Sequence, residues 1–113
     1  MSLFSVRHLR GVLRDEPATL VVDVREPDEY AEVHVAGMSN LPLARVLARD
    51  FPAGLGVTPG TELILFCRSG KRSGVAADSL RLAGFSRVET VDGGLLAWEA
   101  EGFPVERRPV AAG

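Results

Sequence analysis

One cysteine in 113 residues leaves the chain unable to close an internal disulfide, and an unpaired thiol persists most easily in a reducing compartment. Positive charge is not in excess either. Thirteen Lys and Arg stand against fifteen Asp and Glu, for a formal net charge of −2 and a pI near 5.7, so the basic footprint that nucleic-acid binding needs is missing. No apolar run approaches the length of a membrane span. The first residues are interrupted by Arg7, His8, Arg10 and Arg14, which leaves no apolar core of signal-peptide length. These absences together predict a cytoplasmic protein with neither nucleic acid nor membrane as a partner. Cys/His clusters with metal-ligand spacing, a GxGxxG motif and a P-loop are also lacking, so no metal, nucleotide or other cofactor is expected. Repeats and low-complexity tracts are absent, and a single lysine, Lys71, accompanies twelve arginines.

What is present suits one domain. At 12.1 kDa the chain is long enough to bury a core without disulfides or a structural metal, and 46% hydrophobic with 25% charged residues is ordinary for a soluble globular protein. Two segments, Ala18 to Val24 and Glu62 to Phe66, carry apolar runs that are continuous rather than alternating, as in strands covered on both faces within a mostly parallel sheet. Val88 to Val91 is a third strand candidate, Ser39 to Leu41 a short fourth, and Phe4 a minor edge strand. Helical patterns fill the gaps: Val6 to Leu13 behind an N-cap at Ser5, a segment opened by Pro27 with Asp28 and Glu29 in its first turn, Leu43 to Arg49, Gly70 to Leu82 closed by Gly84, and a last one ending near Gly102. Residues 50 to 60, rich in Gly and Pro, read as a loop.

The lone cysteine stands at the end of the second apolar run, in "ELILFCRSGKRSGVAADSLRLAG". In an open parallel α/β sheet, ligands bind beyond the carboxyl ends of strands, where loops enter helix N-termini. Free N–H groups of a helix starting near Gly70 to Ser73, together with Arg68, Lys71 and Arg72, would favour thiolate over thiol at Cys67. A cysteine at a strand end is by default a small buried hydrophobe. Three cations and a permissive glycine within the next five residues speak instead for a nucleophile in an anion-binding loop. Asp23 and Arg25, at the end of the first apolar run, are expected to form a structural pair, His34 to hold a turn through hydrogen bonds, and Trp98 to lie in the core.

"CRSGKRS", residues 67 to 73, resembles the active-site loop of rhodanese-type sulfurtransferases. The resemblance extends to "LVVDVREPDEYAEVHVAGMSNLPL", residues 20 to 43, which is similar to the family's Asp-x-Arg segment with its His-containing turn. It extends also to "DGGLLAWEAEGFPV", residues 92 to 105, similar to its Gly-Gly-x-x-x-Trp ending. Val33 departs from the pattern, standing where the family commonly has Gly, and so does Met38-Ser39. The resemblance implies an α/β fold: a single rhodanese domain spanning residues 1–113, its core at about 4–105 and its C-terminal tail at 106–113, with a five-stranded parallel sheet flanked by helices on both faces. It implies a thiosulfate sulfurtransferase in which Cys67 carries the sulfur, Arg68, Ser69, Gly70, Lys71, Arg72 and Ser73 form the substrate-binding loop, and Asp23, Arg25 and His34 support it.

In that reading Cys67 takes a sulfane sulfur from thiosulfate or a persulfide donor. The resulting persulfide passes it to a thiophilic acceptor: cyanide, a thiol, or a sulfur-accepting protein such as a thioredoxin-like dithiol. Two alternatives use the same residues differently. One is a persulfide relay or binding module serving a partner protein. The other is a cysteine phosphatase or arsenate reductase. Those enzymes place Arg six positions after Cys, whereas Arg72 is at the fifth position and Ser73 at the sixth, a loop one residue short for a tetrahedral phosphate.

Overall fold

Leu20–Asp23 (β1) and Leu63–Phe66 (β4) run side by side and parallel, with Val22 opposite Leu65 and Asp23 opposite Phe66. They are the two central strands of a sheet ordered β3-β1-β4-β5, in which Ser39–Asn40 (β3) and Val88–Thr90 (β5) also pair in parallel. The computed structural model describes residues 4–109.

Continuous apolarity of the central strands has its physical reason in the core, because successive side chains point to opposite faces. Val22, Leu63 and Leu65 bury against Val46, Ala76, Ala77 and Leu80 on one side. Val21, Ile64 and Phe66 bury against Leu9, Val12, Leu95 and Trp98 on the other. The first side is covered by helices Leu43–Leu47 (α3) and Lys71–Leu82 (α4), the second by Val6–Asp15 (α1) and Gly94–Ala100 (α5). Each fully buried Val, Leu or Phe contributes about 1.5–3 kcal/mol of hydrophobic burial, and both faces of β4 are filled in this way.

Local signals place the helix starts. Ser5 Oγ accepts the His8 N–H at 3.1 Å at the head of α1. Pro27–Glu32 (α2) opens with Pro at its first turn and a reciprocal capping box between Glu26 and Glu29. α3 stops two residues short of the expected Arg49, whose backbone turns left-handed at φ +55°. The loop over residues 50 to 60 contains one 3-10 turn, Ala53–Leu55.

Two expectations need adjustment. The main sheet has four strands rather than five, and Phe4 makes only a single parallel bridge, to Val91. Part of the stretch expected as a tail is paired: Glu106–Arg107 (β6) lies antiparallel to Val33–His34 (β2), with Val33 opposite Arg107 and His34 opposite Glu106. Val33 is extended, at φ −153° and ψ 133°, a conformation open to any residue, so the departure from Gly costs the turn nothing. Residues 110–113 of that tail lie outside the described residues.

Candidate functional site

Cys67 is the first residue after β4, and it is 1% exposed. The chain then bends back on itself through Gly70, at φ +103° and ψ −13°, and enters α4 at Lys71. This bend aims two backbone donors at the sulfur: the Gly70 N–H at 3.0 Å and the Ser73 N–H at 3.4 Å from Sγ. Ser73 is the third residue of α4, so its N–H is one of the orphan donors of a helix N-terminus, and the sulfur receives it. Ser73 Oγ stands 3.5 Å from Sγ and donates to the Gly70 carbonyl at 3.1 Å, closing the loop from inside. The donors and the helix dipole suit a sulfur that bears negative charge, while its burial opposes that charge.

The start of α5 holds the other end of this loop. Leu95 N–H donates to the Cys67 carbonyl at 2.9 Å and Leu96 N–H to the Arg68 carbonyl at 3.1 Å. A β-carbon on Gly94 would lie 2.2 Å from the Cys67 carbonyl oxygen and 2.8 Å from that of Arg68. Only glycine permits so close an approach, and Gly94 is left-handed besides, at φ +52°. All described peptide bonds are trans, so carbonyls drawn towards α5 turn the N–H groups of Arg68 and Ser69 away from it. The sequence displays the Gly-Gly pair but not that it abuts the cysteine.

The loop cations are placed differently from one another. Arg68, Ser69 and Lys71 are exposed, and no ion pair among the described residues engages the side chain of Arg68 or Lys71. Arg72, expected with them to face an incoming anion, is instead bound by Glu29 of α2. Its Nη1 and Nη2 donate to the two carboxylate oxygens at 2.5 and 3.0 Å. The Arg72 guanidinium holds the Glu29 carboxyl down at about 2, and the carboxylate raises Arg72 in turn. Sequence reading missed Glu29 as a member of the site.

Behind the loop, Arg25 and Asp23 form a buried pair, with Nε to Oδ1 at 3.1 Å and Nη2 to Oδ2 at 2.9 Å. Arg25 Nη2 also donates to the Val33 carbonyl at 2.8 Å. His34 has Nδ1 2.9 Å from the Tyr30 carbonyl and Nε2 3.1 Å from Glu106 Oε1, and its ring stacks on Tyr30. None of these partners belongs to the loop. Trp98 is buried and donates its indole N–H to the Pro104 carbonyl at 2.9 Å.

A cleft of about 240 Å³ borders the loop, lined by Arg25, Glu29, Arg68, Leu95, Leu96 and Glu99 among others. A larger hollow of about 400 Å³, between α1 and Pro104 to Glu106, includes no residue of the cysteine loop. The smaller one is where the chemistry points. Among the described residues no cluster of three His, Cys, Asp or Glu is placed to hold a metal ion, and no helix is long and apolar enough to cross a membrane.

Comparison with known proteins agrees with this geometry. Residues 6–101 match the family described as Rhodanese-like domain. The chain is 40% identical over 92 residues to the Synechocystis protein slr1261, a match covering 81% of this chain and 49% of that protein. It is 32% identical over 94 residues to an Allochromatium vinosum protein named Sulfurtransferase, covering 82% of this chain and 83% of the relative. The solution structure of the rhodanese-like domain from the Anabaena protein Alr3790 superposes with a TM-score of 0.81 at 28% identity, over 100% of this chain and 87% of that one. The chain thus spans about half the length of the Synechocystis relative.

Proposed function

The chain belongs to the Rhodanese-like domain family, and from that premise we propose that it is a sulfurtransferase carrying its sulfur on Cys67, folded as one domain and working in the cytoplasm. The observation that carries this reading is the convergence of the Gly70 and Ser73 N–H groups on Sγ, at 3.0 and 3.4 Å. In the first half-reaction the Cys67 thiolate attacks the outer sulfur of thiosulfate. The sulfur–sulfur bond of the donor breaks, sulfite leaves with the bonding pair, and a persulfide remains on Cys67. In the second, the acceptor attacks the terminal sulfur and the Cys67 thiolate departs as leaving group. Cyanide becomes thiocyanate in this step, and a cellular thiol or thioredoxin-like dithiol becomes a persulfide. The backbone donors are pre-aimed at the sulfur, so they offset its charge in both steps without reorganising.

Arg68 and Lys71 have the exposure to attract a dianionic donor, whereas Arg72 is occupied by Glu29. That occupancy also speaks against phosphate-ester hydrolysis, which needs a free cation over the anion. A relay between proteins is the second reading, favoured by the likeness, 33% identity over 78 residues, to the Bacillus subtilis protein named Putative sulfur carrier protein YrkF. A steady-state assay with thiosulfate and cyanide tests the enzyme reading. Multiple turnovers that vanish in Cys67→Ser support it. Stoichiometric loading without turnover, together with transfer to a dithiol protein, supports the relay.

A further inference from the structure

Three cations follow Cys67 within five residues, yet one of them faces a carboxylate. Glu29 takes both terminal nitrogens of Arg72. It is itself fixed by the capping box of α2, where its Oε1 accepts the Glu26 N–H at 3.0 Å. The same Glu29 lines the cleft beside the loop, with Arg25 and Arg68. Arg72 stands in the first turn of α4, directly before the Ser73 N–H that reaches the sulfur. One guanidinium is therefore shared between a carboxylate that always faces it and whatever anion arrives at the sulfur.

We propose that Glu29 is a specificity-determining residue, an internal counter-anion that holds Arg72 back from the loop and so weakens retention of oxyanions beside Cys67. The physical argument is competition. A bidentate carboxylate satisfies the fork of an arginine as well as a sulfur or phosphorus oxyanion does. With Glu29 in place, a tetrahedral oxyanion must displace it or bind without Arg72. It then meets Arg68, Lys71 and the backbone donors, with Arg25 held by Asp23, and the negative charge of Glu29 opposes it together with Glu32 and Glu99 of the same cleft. Thiosulfate as donor, sulfite produced by the proposed reaction, and sulfate or phosphate from solution are all held less tightly than three unpaired cations would hold them, so the loop admits an oxyanion without retaining it. This deepens the sulfurtransferase reading and rests on it for the identity of the anion. The charge competition itself requires only that Cys67 be alkylatable.

The test uses the full chain and compares alkylation of Cys67 by iodoacetate, an anion, with alkylation by the neutral iodoacetamide. The ratio of the two rates reports the charge that an arriving anion meets, and it is readable even if the protein transfers no sulfur. Glu29→Gln keeps the side-chain shape and removes the charge. It should raise the iodoacetate-to-iodoacetamide ratio about fivefold at low salt, the scale of one partly exposed ion pair, and much less at 1 M salt. Inorganic sulfate should protect Cys67 from iodoacetamide at lower concentration in this variant than in the native protein. Arg72→Met, which removes the cation and leaves Glu29 beside the cleft, should shift the ratio the other way. Equal changes in both rates with an unaltered ratio in either variant, or no gain in sulfate protection in Glu29→Gln, would mean that the pair only braces α2 against α4, and would overturn the proposal. Absence of sulfur transfer by the native protein, with the ratio behaving as expected, would instead count against the sulfurtransferase reading and leave the competition standing.

Discussion

The backbone N–H of Gly70 points at the Cys67 sulfur across 3.0 Å, and the left-handed turn at Gly70, φ +103°, swings the start of α4 round so that the Ser73 N–H reaches the same sulfur at 3.4 Å. A β-carbon at Gly70 would have room, meeting only the Val91 carbonyl oxygen at 3.8 Å and the Gly93 nitrogen at 3.9 Å. Conformation, not space, is therefore the constraint, and forcing a substituted residue into such backbone costs about 1–3 kcal/mol. Gly70→Val should lower turnover by roughly tenfold or more as the loop relaxes and the donor swings off the sulfur. Because no charge is altered, the loss should be the same at low and high salt. Steady-state kinetics at both salt concentrations check this, and wild-type turnover in Gly70→Val would contradict it.

Lys71 offers the opposite signature. Its exposed ammonium begins α4 beside the loop and makes no ion pair among the described residues, so it attracts bound donor and transition state alike. Lys71→Ala should raise KM for thiosulfate by about threefold to fivefold with a smaller change in kcat. The effect should fade at 1 M salt, where screening shortens the reach of an exposed charge to about 3 Å. Reduced kcat at unchanged KM would place Lys71 in the transition state instead.

Glu29 gives the fold an acid-sensitive tie. Arg72 lowers its carboxyl from 4.5 to about 2. A carboxyl whose folded value lies below its unfolded one stabilises the fold at pH above the unfolded value, and that stabilisation disappears as pH falls through the folded one. The side chain is 32% exposed, and solvent screening limits the contribution to about 1 kcal/mol. Urea unfolding between pH 5 and pH 2 should show the native protein losing its advantage over Glu29→Gln in the acid part of that range. A difference that stays constant throughout would contradict the assignment.

What could be read in the sequence and what could not follows from the range of the interactions. The strand–cysteine–glycine–helix unit lies within residues 63 to 82, and its signals are local: an apolar run in β4, then Cys67, then Gly70, then a helical repeat. Both central strands were legible because Val21 with Val22, and Ile64 with Leu65, bury on opposite faces. β6 was not. Glu106 and Arg107 are exposed and charged, so pairing them with β2 leaves no apolar trace. Phe4 supplied the edge contact expected of it but only one bridge, too little to make a fifth strand. The bond between Glu29 and Arg72 spans 43 positions, and among thirteen basic and fifteen acidic side chains nothing local singles out that partner. The closeness of Gly94 to the Cys67 carbonyl depends on how α5 docks beside the end of β4, a tertiary fact that no spacing encodes.

The proposal that Cys67 is the sole sulfur carrier is tested most directly by intact-mass measurement of the protein after incubation with thiosulfate. The native protein should gain the mass of one sulfur atom, lose it on treatment with cyanide or dithiothreitol, and show neither change when Cys67 is replaced by Ser. Absence of the sulfur adduct in the native protein, or an equal adduct in Cys67→Ser, would contradict the account.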